Sequence, residues 1–376
     1  MRIIAAVLMA AATSLIAAQS PPPQQVWLMQ DSGATAGLRG IDSVDGSVAW
    51  ASGTGGTILR TIDDGAHWTR CATPDSKKDG ATLDFRGIQA WDAQTAIVMA
   101  SGPGAKSRLY KTTDGCKTWK LILKNREKEG FWDAIYFDRS WGWLLGDPVK
   151  GRFVLFASDD GGKHWIIQQN KGLAAKPDSE SAFAASNSSL VSVLGSLLFG
   201  TGGSGGAFVY ETTQIQICMD DCSPSEMNLD GSKNKWARWP VPIRRGTGAS
   251  GVFSVGLRPN VPGAPLGSSS LIAVGGDYTK PDESAGTAAS SLDGGEHWTA
   301  SATPPHGYRS AVQYSESLHA WITAGTNGSD ISRDDGRTWQ PLDNGNWNAL
   351  SLPFVVGPNG RIARLNSQFA RLKPAP

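Results

Sequence analysis

The fold is decided by a stretch that reads TIDDGAHW at residues 61–68 and follows the pattern Ser/Thr-x-Asp-x-Gly-x-x-Trp. It returns four times, as TTDGCKTW at 112–119, SDDGGKHW at 158–165, SLDGGEHW at 291–298 and SRDDGRTW at 332–339. The copy at 112–119 departs from the pattern, with Cys116 in place of the glycine. Asp and Ser/Thr side chains accept hydrogen bonds from the backbone of their own turn, glycine permits a positive φ, and tryptophan buries a large surface. The pattern therefore predicts five tight turns, each leading into a new strand.

The acidic residues of this pattern are predicted to be structural. Its five aspartates are Asp63, Asp114, Asp160, Asp293 and Asp334. They look like a set of catalytic carboxylates, but each is expected to cap the turn in which it lies. The same holds for three histidines that share one variable position, namely His67, His164 and His297.

A hydrophobic or aromatic residue that opens the first strand of each unit gives the number of units. The openings are read at Leu38, Phe85, Trp132, Phe183, Phe253, Tyr308 and Trp347. Each is followed by an apolar second strand that ends in glycine, at 48–53, 96–102, 141–146, 197–202, 271–275, 320–325 and 354–357. Units of about 40–50 residues with four short strands predict an all-β, seven-bladed β-propeller. A parallel β-helix is the alternative, disfavoured because its repeats are shorter.

The two irregular units are the last and the fourth. The last has three strands and no turn motif, so segment 26–30 is predicted to pair into the blade formed by 347–365 and to close the ring. In the fourth blade a polar insertion over 214–235 stands where a turn motif is expected, and an outer strand resumes at Trp236.

The N-terminal residues 1–20 have the plan of a secretory signal peptide. A charged start precedes an unbroken apolar run over 3–12, and small residues at Ala18 and Ser20 mark the expected cleavage region. A buried N-terminal helix is the weaker alternative because three prolines follow directly. We expect residues 21–376 to form a single propeller domain with no transmembrane segment, located in the periplasm or secreted.

Four cysteines can pair in three ways. Cys218 and Cys222 lie close together in a polar segment, which leaves Cys71 for Cys116. The second bond would join neighbouring blades, because Cys71 follows one turn motif and Cys116 lies inside the next. A metal site is disfavoured, since the sequence offers no second Cys-x-x-Cys pair and no nearby cluster of histidines. Two disulfides and no metal are predicted.

The residue after each opening is predicted to face the central channel. These residues are Arg39, Arg86, Asp133, Ala184, Ser254, Arg309 and Asn348. Charges beside a channel must pair or stay wet. Arg39, Arg86, Asp133, Arg309 and Asn348 are therefore candidate ligand-binding or partner-binding residues at a channel mouth. The alternative is a hydrated ring with internal ion pairs such as Arg86 with Asp133.

The turn motif resembles the Asp-box (bacterial neuraminidase) repeat, which in its families links the third and fourth strands of propeller blades, away from the ligand face. The chain after residue 20 resembles the photosystem II stability/assembly factor-like family of Asp-box propellers. That resemblance rests on the openings LRGI at 38–41 and FRGI at 85–88, on the motif series and on the signal peptide. It implies a seven-bladed, non-catalytic assembly factor whose basic surface binds partner proteins, and Arg39, Arg86 and Arg309 are the candidates for that role in this sequence.

A sialidase-like glycoside hydrolase is the alternative function, because Arg39, Arg86 and Arg309 mimic the arginine triad of such enzymes. Against it, those enzymes have six blades, and no Tyr–Glu pair is found on neighbouring inner strands. The expected function is binding of a protein partner, such as an envelope or membrane complex, or of an acidic ligand. The net charge of +1 gives no field for nucleic acid. We expect a monomer with no cofactor.

Overall fold

A computed structural model describes residues 25–169, 171–176, 179–193, 196–212, 230–232, 234–259 and 269–371. Within these ranges the strands form seven four-stranded antiparallel sheets. The first strands of successive sheets contact one another in order, and the seventh contacts the first. The sheets are therefore the blades of a closed ring, and the predicted seven-bladed β-propeller is confirmed.

Blades 1 to 4 follow the chain in order. Blade 1 comprises Leu38–Ser43, Ala49–Gly53, Thr57–Thr61 and Thr69–Arg70. Blade 2 comprises Phe85–Ala90, Ala96–Ala100, Arg108–Thr112 and Lys120–Lys124. Blade 3 comprises Trp132–Asp138, Trp141–Val149, Arg152–Ser158 and Ile166–Ile167. Blade 4 comprises Leu190–Val193, Ser196–Thr201, Phe208–Thr212 and Trp236–Pro240.

Blades 5 to 7 complete the ring. Blade 5 comprises Ser250–Pro259, Ser269–Asp277, Ala288–Ser291 and Thr299–Ala300. Blade 6 comprises Ala311–Ser315, Ala320–Gly325, Gly328–Ser332 and Gln340–Asp343. Blade 7 comprises Ala349–Ser351, Phe354–Val356, Ile362–Leu365 and the N-terminal strand Trp27–Gln30. Short helices lie at Gly80–Thr82, Gly104–Lys106, Asn187–Ser189 and Ser367–Arg371. In the described part of the chain, none is long and apolar enough to cross a membrane.

The core lies between the blades. The second strands of several blades, Ala49–Gly53 among them, are buried along their whole length because each blade packs between two neighbours. Trp50 of blade 1, for example, shares one apolar cluster with Phe85 and Val98 of blade 2. The blade-to-blade contact explains why these strands read as continuous apolar runs rather than as alternating patterns.

The ring is closed by the pairing of an N-terminal strand with a C-terminal strand. Trp27–Gln30 pairs antiparallel with Ile362–Leu365. The indole N–H of Trp27 donates to the hydroxyl of Ser329 at 2.9 Å in the neighbouring blade 6. The predicted closing strand is confirmed: it is the outermost, fourth strand of the last blade and joins the two ends of the described chain in one sheet.

All five copies of the motif lie between the third and fourth strands of a blade, and we call them the motif turns (residues 61–68, 112–119, 158–165, 291–298 and 332–339). In the first, the backbone N–H of Gly65 donates to Thr61 Oγ1 and that of His67 donates to Asp63 Oδ1, both at 3.0 Å. The equivalent bonds recur in the other four turns. The fifth position has a positive φ, 81° at Gly65 and 67° at Cys116.

The motif tryptophans are less buried than the sequence led us to expect. Trp339 is buried, whereas Trp68, Trp119, Trp165 and Trp298 are half-buried. Trp68, for instance, sets an edge against Phe354 of blade 7, with ring centroids 5.7 Å apart.

The disulfide between Cys71 and Cys116 is confirmed, with Cα atoms 5.3 Å apart. It joins the end of blade 1 to the motif turn of blade 2. The predicted signal peptide over 1–20 and the predicted Cys218–Cys222 bond lie outside the described residues and stay predictions, as does most of the 214–235 insertion.

The opening predicted for blade 4 is wrong. Its first strand begins at Leu190 rather than at Phe183. Residues 182–189, which we call the plug, instead cross the central channel. The side-chain amide of Asn187 donates to the carbonyl of Ile88 in blade 2 at 2.7 Å, and Ser186 Oγ donates to the carbonyl of Ser310 at 2.9 Å. These bonds to distant blades hold the plug in place.

Candidate functional site

The two faces of the propeller carry different parts of each blade. Because the four strands are antiparallel, the start of the first strand and the end of the second lie on one face. The end of the third strand and the motif turn lie on the opposite face. We call the opening of the channel on the first face the upper mouth, and the motif turns lie on the other side of the molecule.

The plug divides the channel into two cavities. The upper cavity, of about 500 Å³, is lined by residues 182–185 of the plug and opens at the upper mouth. The lower cavity, of about 330 Å³, is lined by residues 186–188 and by the far ends of the first strands. A ligand that enters the upper mouth therefore meets a closed floor.

Three kinds of side chain surround the upper cavity. It is lined by two cations, Arg39 and Arg86, by two carboxylates, Asp133 and Asp147, and by five aromatic rings, Phe131, Phe183, Phe253, Tyr278 and Tyr308. Asn348, Ser310 and Thr326 are polar neighbours. The structure thus brings four of the five predicted site residues, Arg39, Arg86, Asp133 and Asn348, to one cavity.

A β-bulge explains why three of these charges face the channel. In blades 1, 2 and 3 the pairing of the first two strands skips one residue, which is Arg39, Arg86 and Asp133 respectively. A bulged residue leaves the ladder, and its side chain is turned away from its neighbours. Blade 5 has the same bulge at Phe253, so Phe253, rather than the predicted Ser254, takes this position.

Arg309 corrects the prediction, because it does not reach the mouth. Its backbone N–H donates to Gly275, the glycine near the end of the previous blade's second strand, as the N–H of Leu38 does to Gly357. Arg309 is therefore equivalent to the buried opening residue Leu38, and Ser310 is the residue that lines the cavity. The opening predicted at Tyr308 was displaced by one residue.

The burial of Arg309 is fully compensated. Its Nε donates to Asp330 Oδ2 at 2.6 Å, and neither side chain is exposed. Its Nη1 donates to the carbonyl of Tyr308 and to the side chain of Asn327. Burial lowers the pKa of Arg309, and the charge of Asp330 opposes that effect. Arg309 is a structural ion pair inside blade 6.

The two arginines at the mouth differ from each other. Arg86 Nε donates to Asp84 Oδ2 at 2.7 Å, so its ion pair is with Asp84 and not with Asp133 as the alternative interpretation proposed. Arg39 makes no ion pair or hydrogen bond with any described residue, and its Nε is buried without a partner. Burial lowers the pKa of Arg39, the charge of Arg86 lowers it further, and Asp84 acts in the opposite direction.

The surroundings of the two carboxyl groups in the upper cavity disfavour their ionised form. Asp133 is 2% exposed, and burial together with the charge of Asp147 raises its pKa well above the usual range, against the charge of Arg86. Burial also raises the pKa of Asp147 to about 6, against a hydrogen bond from the N–H of Ala182, which lies 3.0 Å from Oδ1. The two groups repel each other in a poorly hydrated place.

Asn348 serves the closure of the ring. Its side-chain amide donates to the carbonyl of Leu38 at 2.7 Å, which ties blade 7 to blade 1. Its own carbonyl accepts from Ser310 Oγ. Asn348 therefore lines the mouth and positions Arg39 through its neighbour Leu38.

Sequence reasoning missed Asp147 and Tyr278. Asp147 follows Gly146, which pairs with Trp132 at the start of the first strand, and Tyr278 follows Asp277, which pairs with Ser250. Residues just after a second strand thus return to the upper face beside the first. The glycine that ends each second strand was the signal that would have located them.

The triad needed by the alternative enzyme is not assembled, because Arg309 is buried against Asp330 and does not line the cavity with Arg39 and Arg86. No glutamate occurs among the described residues that line the upper cavity. In the described ranges, no three His, Cys, Asp or Glu side chains come together to hold a metal ion.

The lower cavity is lined by polar and apolar side chains in similar numbers. Its half-buried Asp42 accepts from the side chain of Gln89 at 2.9 Å and from the N–H of Ala90 at 2.6 Å. Burial raises the pKa of Asp42 to about 6, against these two bonds. The carboxylate here is hydrogen-bonded within the protein, unlike Oδ2 of Asp133.

Two solved structures share this fold. One, described as YCF48 bound to D1 peptide, aligns with a TM-score of 0.57 at 17% identity over 91% of this chain and 97% of that one. The other, YCF48 from Cyanidioschyzon merolae, aligns with a TM-score of 0.59 at 15% identity over 91% and 99%. At such identities the likeness shows the fold. No protein-family model and no curated protein matches the chain.

Proposed function

We propose that the chain is a non-catalytic propeller that binds an acidic segment of a partner protein at the upper mouth. The observation that carries the proposal is the half-buried guanidinium of Arg39, which has no partner among the described residues and lines a cavity of about 500 Å³. A desolvated charge without a partner is costly, and an anionic ligand would remove that cost. The planar fork of a guanidinium matches a carboxylate in two parallel hydrogen bonds.

Arg86 supports the same site from the next blade. Its charge is close enough to Arg39 to lower the pKa of that side chain, so both cations act on one volume. On a chain with a net charge of +1, such a pair is a local positive site rather than part of a general field. Arg86 keeps Asp84 as a partner, so Arg39 is the main anion contact.

The class of ligand is supported by the comparison. One propeller of this fold is described as bound to a peptide. For this chain a peptide segment is a proposal, and the closed floor formed by the plug implies that the segment enters and leaves by the same opening.

The proposed location is the periplasm or the outside of the cell. The disulfide between Cys71 and Cys116 fits an oxidising compartment, and the signal peptide predicted over 1–20 points to the same place. A protein of an envelope or membrane complex is the proposed partner, bound by one copy of this chain.

The test measures, by titration calorimetry, the affinity of a glutamate-rich peptide with blocked termini. The peptide is titrated into the wild type and into three variants. Arg39→Ala should weaken binding by about 1–3 kcal/mol, the scale of hydrogen bonds to a charged group, and Arg86→Ala by less. Arg337→Ala is the matched control, because Arg337 is exposed in a motif turn on the opposite face. Added salt should weaken binding to the wild type. Unchanged affinity in Arg39→Ala would refute the proposal.

A further inference from the structure

The upper cavity also holds charge of the opposite sign. We infer that it is a bipolar site, in which Arg39 receives an acidic side chain and the pair Asp133 and Asp147 receives a lysine or arginine of the same segment. This inference rests on the proposed function, since both subsites lie in one cavity. It adds a sequence preference: the segment that binds carries an acidic and a basic residue close together.

Asp133 is the first observation. It is 2% exposed, it lines the upper cavity, and its Oδ2 is buried without a hydrogen-bond partner among the described residues. The protein satisfies its other fully buried carboxylates. Glu180 forms an ion pair with Arg238 at 2.8 Å, and Asp330 forms one with Arg309. Asp277 accepts hydrogen bonds from Thr247 and Thr279. Asp133 differs from all three because its Oδ2 has no hydrogen bond and it forms no ion pair among the described residues.

Asp147 is the second observation. Its carboxyl accepts one bond, from the N–H of Ala182, and lies close enough to raise the pKa of Asp133. Two carboxylates that repel each other are relieved by a cation placed against both. A lysine ammonium or an arginine guanidinium is such a cation, with donors enough for two acceptors.

Two nearby cations of the protein, Arg86 and Arg309, cannot take that place without giving up their own ion pairs. Arg86 is committed to Asp84, and Arg309 to Asp330. Arg39 forms no ion pair with Asp133 among the described contacts, and both residues stand at bulges of first strands. Because those strands are fixed in the blade stack, the two opposite charges stay apart until a ligand bridges them.

The aromatic wall suits the stem of a long basic side chain. Phe183 stacks on Phe253 with ring centroids 3.9 Å apart, and Phe253 contacts Tyr308 edge-on. Tyr278 completes the wall and is 51% exposed. Apolar stems of lysine and arginine pack on such rings, and their charged ends are attracted to the ring faces.

The experiment compares two capped peptides of equal length, one with glutamate and glutamine and one with glutamate and lysine at the same positions. The wild type should bind the glutamate–lysine peptide at least about tenfold more tightly. Asp133→Asn should abolish that preference while keeping affinity for the glutamate–glutamine peptide. Asp138→Asn, at the exposed far end of the same strand, is the control that should keep the preference.

The outcomes separate the two proposals. Equal affinity of the wild type for both peptides, with binding still lost in Arg39→Ala, would overturn the bipolar site and leave the anion site standing. A preference that survives Asp133→Asn would also overturn it. Absence of binding by either peptide would overturn the proposed function together with this inference.

Discussion

Aspartates occur both in the motif turns and at the upper mouth, but their surroundings shift their pKa values in opposite directions. In the third motif turn, burial would raise the pKa of Asp160, but hydrogen bonds from the backbone and side chain of His164 lower it to about 2. At the mouth, burial and a neighbouring carboxylate raise the pKa of Asp133 well above its usual range. The difference is the supply of donors. A carboxylate that its own turn satisfies stabilises the fold, and one with a buried, unbonded oxygen, such as Oδ2 of Asp133, is available to a ligand.

The arginines repeat the comparison. Arg309 is fully buried and bonded to Asp330, Asn327 and the carbonyl of Tyr308. Arg39 lies at the mouth and is bonded to no described residue. Both arginines follow an aromatic or aliphatic residue in similar local sequences. The contact with the preceding blade, not the residue type, therefore decides which arginine is structural and which is free to bind a ligand.

The largest expected effect is on stability, and it sets the two arginines apart. Arg309→Ala should lower the free energy of unfolding by about 3–5 kcal/mol, because it leaves the buried Asp330 without its main cation. Arg39→Ala should change it by less than about 1 kcal/mol, since no internal bond is lost. Urea unfolding followed by tryptophan fluorescence measures both. An equal loss in the two variants would show that Arg39 is structural.

A smaller effect, on the order of 1 kcal/mol, should appear in the pH dependence of stability. Asp147 has a raised pKa in the folded protein, so its contribution is present below about pH 4 and is lost as the pH rises through about 6. Asp147→Asn should therefore gain stability relative to the wild type across that window. Asp133 is the neighbouring carboxyl, and burial and the charge of Asp147 raise its pKa whereas the charge of Arg86 lowers it.

Asp160 provides the opposite sign in the same measurement. Its lowered pKa contributes stability above about pH 4, and that contribution is lost as the pH falls towards about 2. Asp160→Asn should thus be less stable than the wild type at pH 7, and the difference should shrink in acid. Thermal unfolding of both variants at several pH values checks the pair. Difference curves with the same sign would contradict the comparison.

The sequence was sufficient for the architecture and insufficient for the site. Five motif turns with fixed spacing are local signals, and so were the three-stranded last unit and the position of Cys116 inside a turn. They led to the ring, its closing strand and the Cys71–Cys116 bond. Each of these signals can be read within a short stretch of sequence.

The mouth depends on contacts between blades, which the sequence does not display. The sequence around Arg309 resembles the sequence around Arg39. The bond from the N–H of Arg309 to Gly275 of the previous blade shows that Arg309 lies one position earlier in its blade, in the core. The plug looked like a strand opening at Phe183. Its course across the channel is set by bonds such as that from Asn187 to Ile88, 99 residues away.

The central claim is that a partner binds at the upper mouth and not on the face with the motif turns. Two exposed residues provide a matched pair: Tyr278 at the mouth, 51% exposed, and Leu292 in a motif turn, 62% exposed. Each can be replaced by photo-reactive benzoyl-phenylalanine, and the protein irradiated with an envelope fraction of its source cell.

We expect a cross-linked protein from position 278 that an acidic peptide competes away and that is lost when Arg39→Ala is added. We expect none from position 292. A cross-link of similar yield from position 292, or one from position 278 that survives both the peptide and Arg39→Ala, would contradict the central claim.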